Sequence, residues 1–250
     1  MTKNNETKEE SLMQHVGALR QCLIRSFIAV VLLFCVTSFY SKEIYAILAL
    51  PLQKTLSGDS RFITTHPIEA WYTYFKTGLF TAVFFSTPVI FYQIWKFIAP
   101  GLAATERRIF IFATLVSSSL FLAGGCFGYF TAFPFAFHYF SNLIEGTGIL
   151  FLPHMEDYLS FAFQMLVAFG IIFETPMLMM LLAYLGLVSK KQLSSFRSYY
   201  IVLASIIAAI FTPPDMISQM MMGIPMVLLY EVGVMGVWFM EKMRMGKKHG

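Results

Sequence analysis

The sequence predicts an all-α, polytopic integral membrane protein with six transmembrane helices and both termini in the cytoplasm. Three observations predict it. Of 250 residues, 57% are hydrophobic and 13% charged, against about 45–50% and about 25% in ordinary globular domains. The apolar residues fall in six runs, most of them near the ~20 residues that a hydrocarbon core of about 30 Å requires. Fourteen Lys and Arg residues lie in alternate gaps between those runs, and three in the others. Mean hydropathy is +0.67, and so little charge cannot cover a soluble surface. Disorder, coiled coils and disulfide scaffolds are excluded by composition.

Residues 1–250 are read as a single membrane domain. The first ten carry three glutamates, and no small-residue cleavage site follows the first apolar run. That excludes a cleavable signal peptide. Residues 1–22 form a cytoplasmic N-terminal segment. Ser11 and Gln14 have the spacing of a capping box. Leu12, Val16, Leu19 and Leu23 share one helical face, so a short amphipathic helix is expected over 11–23, running into span one.

Span one covers about 23–40, with Arg25 able to snorkel. Span two, about 77–95, contains Pro88. Span three, about 109–131, begins an uncharged stretch reaching residue 144, where Gly124, Gly125 and Pro134 mark a bend or an end. Gly124 and Gly128 also have the spacing for close helix approach. Span four, about 158–186, embeds Glu174. Span five, about 198–212, has fifteen residues, reaching only about 22 Å. Pro213, Pro214 and Asp215 then force a turn into span six, about 216–240, which contains Glu231. Strands are excluded because the runs are long and apolar on every side, without the alternation of barrel strands.

The basic residues set the orientation. Lys3, Lys8, Arg20, Arg25, Lys96, Arg107, Arg108, Lys190, Lys191, Arg197, Lys242, Arg244, Lys247 and Lys248 share the cytoplasmic side, and Lys42, Lys54 and Arg61 the other. They form no continuous stripe to follow phosphates, so nucleic acid is not a partner. Cys22, Cys35 and Cys126 form no C-x-x-C pair, and no histidines sit at metal-ligand spacing.

Glu174 is the most informative ionisable residue. A mid-bilayer carboxylate costs about 2.5–3.5 kcal/mol on insertion scales. It is read either as a structural, hydrogen-bonded carboxyl or as a functional group in a groove. Lys76 and Glu231 lie nearer span ends, where snorkelling explains them. Trp71, Trp95 and Trp238 sit as interfacial anchors. No hydrolase, zinc-protease or phosphate-loop motif is present, so an enzyme is not expected. Three further readings remain: a peptide receptor, a small-solute secondary transporter and a scaffold for other membrane subunits. A transporter calls for internal repeats, and the halves show no similarity.

Five segments, in order, carry a resemblance. They are THPIEAW (65–71), PVIFYQIWKFIAPGLAATERR (88–108), AFGIIFETP (168–176), FTPPDMISQ (211–219) and IPMVLLYEVGV (224–234). Together they resemble the TatC family, the polytopic receptor subunit of the twin-arginine protein translocase. The resemblance implies a multi-pass protein of the inner (cytoplasmic) membrane that binds twin-arginine signal peptides of folded proteins. It implies partners of the TatA and TatB type, which are single-span subunits. It also implies transport driven by the proton-motive force, possible self-association within the complex, and no cofactor.

By the same resemblance, Glu106, Phe97, Arg20, Leu19 and Arg107 bind the signal peptide. Glu174 and Lys76 are intramembrane groove residues. Pro51, Glu69, Pro88, Pro213, Pro214, Asp215, Gln219 and Glu231 are structural or contact partners. The need for an acid is physical, because two guanidinium groups must be held in a positively charged region, and carboxylates bind them bidentately. One segment departs from the family. In QHVGALRQCL (14–23), His15, Leu19, Arg20 and Leu23 match its N-terminal signature, but Ala18 stands where that signature has glutamate and Cys22 where it often has arginine.

Overall fold

The structure, a computed structural model, describes the backbone of residues 3–55, 62–64, 66–98, 107–144, 153–212 and 216–246. Side chains are described within these except at 3–15, 55, 67, 107–110, 140, 143–144 and 244–246. Among the described residues the regular structure is helical, apart from one isolated bridge between Ile63 and His154. In order, the helices are α1 (Lys3–Phe39), α2 (Ser41–Thr55), α3 (Pro67–Phe85), α4 (Thr87–Ile98) and α5 (Arg107–Phe127). A π-helical turn, Gly128–Ala132, leads into α6 (Phe133–Ile144). α7 (Met155–Phe173), α8 (Thr175–Tyr184), α9 (Lys190–Phe211) and α10 (Met216–Gly246) follow.

Five stretches are long and apolar enough to cross a bilayer: Val16–Phe39, Ile111–Tyr139, Met155–Tyr184, Lys190–Phe211 and Met216–Met243. The pair Ile68–Phe85 and Thr87–Ile98, bent by 48°, makes a sixth. The predicted all-α, six-span fold agrees with this.

Two local expectations are corrected. Backbone helix is continuous from Lys3 to Phe39, so Ser11 lies inside a helix and does not cap one. The fifth span, α9, has 22 residues rather than fifteen. It begins at a capping box in which Gln192 N–H donates to Ser189 Oγ (3.4 Å) and Ser189 N–H to Gln192 Oε1 (2.9 Å). Polar residues therefore supply its first two turns, and at 1.5 Å per residue it reaches about 33 Å.

Prolines shape the helices, and side-chain hydroxyls cover the carbonyls they leave without a donor. Pro88 cannot donate to Phe84 O, four residues back. Thr87 Oγ1 donates to that carbonyl instead at 2.8 Å, at the bend between α3 and α4. Pro51 likewise leaves Ile47 O, which accepts from Tyr129 Oη at 2.6 Å. Tyr158 Oη reaches the next carbonyl, Leu48 O, at 2.5 Å. Ahead of Pro134 the helix widens into the π turn, and Phe133 N–H reaches Gly128 O. The need is general, because an unpaired backbone group in hydrocarbon costs several kcal/mol.

The chain divides into two compact units, Met1–Tyr45 with Trp71–Ser119, and Ala46–Ala70 with Leu120–Gly250. The first has a hydroxyl-rich interior. Thr73, Thr77, Ser86 and Ser117 are almost fully buried, while Phe27 and Phe112 point outward. Thr37 Oγ1 donates to Gly78 O at 2.7 Å, joining α1 to α3. Trp95 Nε1 donates to Ser117 Oγ at 3.3 Å, joining α4 to α5. This is the packing expected in lipid, where small residues let backbones approach and hydroxyls bond to carbonyls.

The second unit has an apolar and aromatic interior around Phe133, Phe169, Leu159, Met165 and Val237. Gly124 permits the contact between α5 and α7. A Cβ there would lie 2.4 Å from Phe169 O and 2.9 Å from Gly170 Cα. Gly128 faces Phe169 in the same way, at 3.2 Å. The glycine spacing read from the sequence therefore marks a real seam. The loop before α3 is tied to the start of α7 by Ile63 N–H to Pro153 O and Met155 N–H to Ile63 O, both 3.2 Å.

Candidate functional site: a buried carboxylate at a helix break and an exposed N-terminal helix face

Glu174 occupies the junction of α7 and α8, where Pro176 prevents a continuous helix. Its N–H donates to Ile171 O at 3.1 Å, closing α7 with a tight turn. Its side chain, 8% exposed, starts α8, where the helix dipole favours a carboxylate by about 0.3–1 kcal/mol. α10 packs closely beside this break. A Cβ at Gly233 would meet Met179 Sδ at 2.5 Å and Pro176 Cα at 3.2 Å. α8 ends at Gly186, with φ +75°. Leu187 N–H returns to Leu182 O at 2.9 Å and Gly186 N–H to Ala183 O at 3.0 Å, a glycine-dependent cap.

Glu231 departs from the snorkelling expectation. Arg197 on α9 grips it with a fork, Nη2 to Oε2 at 2.8 Å and Nε to Oε1 at 2.7 Å. Both side chains are nearly half exposed. Facing apolar surroundings, two opposite charges are better paired with each other than extended separately. Beside them Tyr200 and Tyr230 stack at 4.1 Å, and Tyr230 Oη donates to Leu193 O at 2.8 Å. Sequence reading missed Arg197 as a partner. Its signal was an arginine at the end of the polar start of α9, where the apolar stretch begins.

Lys76 lies over the Tyr72 ring, Nζ 4.4 Å from its centroid. A cation–π contact holds it there. Glu69 Oε2 accepts from His66 N–H at 3.4 Å at the start of α3. Gln219 Nε2 donates to Ser205 O at 2.9 Å, linking α10 to α9. Pro51 is buried and Pro88 exposed.

The residues expected to bind a peptide are placed as follows. Leu19 and Arg20 are exposed on α1, as is Ala18, and Cys22 is half-buried. Phe97 is half-buried at the end of α4, a helix that packs along α1. Arg107 opens α5. Glu106, Pro213, Pro214 and Asp215, and the side chains of Arg107, Glu9 and Glu10, lie outside the described residues. Among the described residues, no three His, Cys, Asp or Glu side chains cluster to hold a metal.

Residues 14–225 match the family model for TatC, the Sec-independent protein translocase protein. A TatC protein of Desulforapulum autotrophicum is 39% identical over 93% of this chain and 86% of its own length. That of Escherichia coli (strain K12) is 35% identical over 95% and 90%. A crystal structure of the twin arginine translocase receptor TatC in DDM superimposes with a TM-score of 0.80 at 36% identity, covering 89% of this chain and 99% of that one. A second crystal structure of that receptor gives 0.75 at 35% identity, covering 90% and 98%.

Proposed function

Because this chain belongs to the TatC family of Sec-independent protein translocase proteins, we propose that it is the receptor that binds twin-arginine signal peptides of folded cargo. Membership itself carries the coarser statements. The protein is a multi-pass membrane component of a Sec-independent translocase, and its family is not enzymatic. The small-solute transporter reading finds no support, since the relatives and solved structures described above are translocase components.

The observation that carries the proposal is the shared fold. Nine-tenths of the chain superimposes on a structure described as the twin arginine translocase receptor. In this reading the signal peptide docks on the cytoplasmic side, between the exposed α1 face of Leu19 and Arg20 and the segment following Phe97. Glu106 supplies the carboxylate for the guanidinium pair. Arg107 beside it, with Arg20, keeps the region positive, so only a ligand that satisfies Glu106 bidentately overcomes the repulsion. Phe97 and Leu19 offer apolar surface to the hydrophobic part of the peptide. Glu174 and Lys76 are each functional polar groups within the membrane. Pro51, Glu69, Pro88, Pro213, Pro214, Asp215, Gln219 and Glu231 are structural or meet partners. Those partners are single-span subunits of the TatA and TatB type in the inner membrane, and the proton-motive force drives transport.

The test is binding of a labelled signal peptide to the purified protein in nanodiscs, with Arg-Arg compared to Lys-Lys. Lys-Lys keeps the charge but loses the fork. A charge-assisted hydrogen bond contributes about 1.5–3 kcal/mol, so Arg-Arg binds roughly tenfold to a hundredfold tighter, and Glu106→Ala removes the preference. Equal binding of both peptides, alone and with co-purified small subunits, would overturn the receptor assignment.

A further inference from the structure

The start of α9 and the end of α10 meet on one tryptophan. Lys190 opens α9 and holds its Nζ 5.3 Å from the centroid of the Trp238 ring. Lys242, four residues beyond Trp238 on α10, holds its Nζ 5.4 Å from the same ring. Trp238 is 45% exposed, and Lys191 and Lys242 are exposed. The nearby carboxylate of Glu241 accepts the Lys190 backbone N–H at 2.8 Å, so it caps the start of α9. The Ser189–Gln192 capping box fixes the backbone from which Lys190 extends.

Each ammonium is attracted to the indole face, but the two repel each other, and Lys191 adds a third positive charge against the single carboxylate of Glu241, so the corner stays net positive. An anion with several acceptor oxygens relieves that repulsion. The setting identifies the anion. α9 and α10 are both candidate spans, and the indole sits where their apolar stretches end, the depth at which tryptophan meets headgroups. One turn deeper on the same face of α10, Met235 is exposed and offers apolar surface along which an acyl chain can lie. A soluble anion uses the charges but not that apolar track. Basic corners between spans at the membrane surface are suited to anionic lipid headgroups.

We propose that the Lys190–Trp238–Lys242 corner is a binding site for an anionic phospholipid, its phosphate seated between the two ammonium groups and its acyl chain descending past Met235. The assignment is independent of signal-peptide recognition.

The experiment uses the full chain in nanodiscs and reads Trp238 fluorescence, isolated by subtracting the Trp238→Phe variant. Brominated phosphatidylglycerol is titrated against brominated phosphatidylcholine of the same chain length. Phosphatidylglycerol is expected to quench Trp238 at several-fold lower mole fraction. At about 1 kcal/mol per lysine near a charged surface, Lys190→Gln or Lys242→Gln should weaken the preference about fivefold each, with an unchanged melting temperature excluding misfolding. Equal quenching by the two lipids, or a preference unchanged in the double variant, would overturn the site. Relief of quenching by millimolar inorganic phosphate at constant ionic strength would overturn its assignment to lipid in favour of a soluble anion.

Discussion

Gly124→Ala should destabilise the protein even though alanine is the better helix former. The added Cβ would lie 2.4 Å from Phe169 O, 2.8 Å from its carbonyl carbon and 2.9 Å from Gly170 Cα. Ordinary van der Waals contact begins near 3.4 Å, so α5 and α7 must part by about 1 Å. All three atoms are backbone, and no side chain can turn away to absorb the change. The neighbouring contacts of Gly128 with Phe169 and of Gly170 with Phe121 loosen with it. Overpacking of this kind costs about 1–3 kcal/mol, and the upper end applies to a rigid neighbour. The helix propensity of alanine returns about 1 kcal/mol, leaving a net loss of about 2 kcal/mol. For a chain of this size that lowers the melting temperature by roughly 4–8 °C. The assay is thermal unfolding in detergent micelles, with Gly223→Ala as the control. A Cβ at Gly223 meets nothing within 4 Å, so that variant should melt at or above the wild type. A Gly124→Ala protein as stable as Gly223→Ala would refute the seam.

Three further predictions rest on separate features. Tyr129→Phe removes the donor to Ile47 O and should cost about 1–3 kcal/mol. Pro51→Ala in the same background restores an amide to that carbonyl and should recover part of the loss. Additive losses in a double-mutant cycle would mean that the tyrosine and the proline act independently. Ser189→Ala removes the cap of α9 and should cost about 0.5–2 kcal/mol, read as earlier unfolding in the same melting assay. No change there would show that the start of α9 is held by Glu241 instead. Ala18→Glu places a carboxylate on the exposed face beside Leu19 and Arg20 and should leave signal-peptide binding intact or tighten it up to about a hundredfold. Weaker binding would place the docking face elsewhere on α1.

Much of the candidate site was legible because its residues announce themselves chemically. Glu174 is conspicuous in any apolar run, and the structure sets it at a break with Pro176 two residues on. Glu231 was equally visible, but its partner was not. Arg197 lies 34 positions away in the chain, and only the pairing of α9 with α10 brings the two together. The corner formed by Lys190, Trp238 and Lys242 was hidden for the same reason. Each residue alone reads as an ordinary feature of a span end.

By itself, the sequence determined the helical class, six crossings and their approximate places. Apolar length is a property of contiguous residues, and a bilayer reads it directly. It also determined where bends are required, because proline removes a donor wherever it stands. Only the tertiary structure decided how those bends are satisfied: Thr87 covering Phe84 O from the adjacent position, and Tyr129 covering Ile47 O across 82 residues. It also decided that the interior of one compact unit is rich in hydroxyls and that of the other in apolar and aromatic side chains. In lipid both faces of a helix are apolar, so hydrophobicity marks a span without marking its inner face. That choice falls to close approach and hydrogen bonding, which depend on the neighbour that arrives.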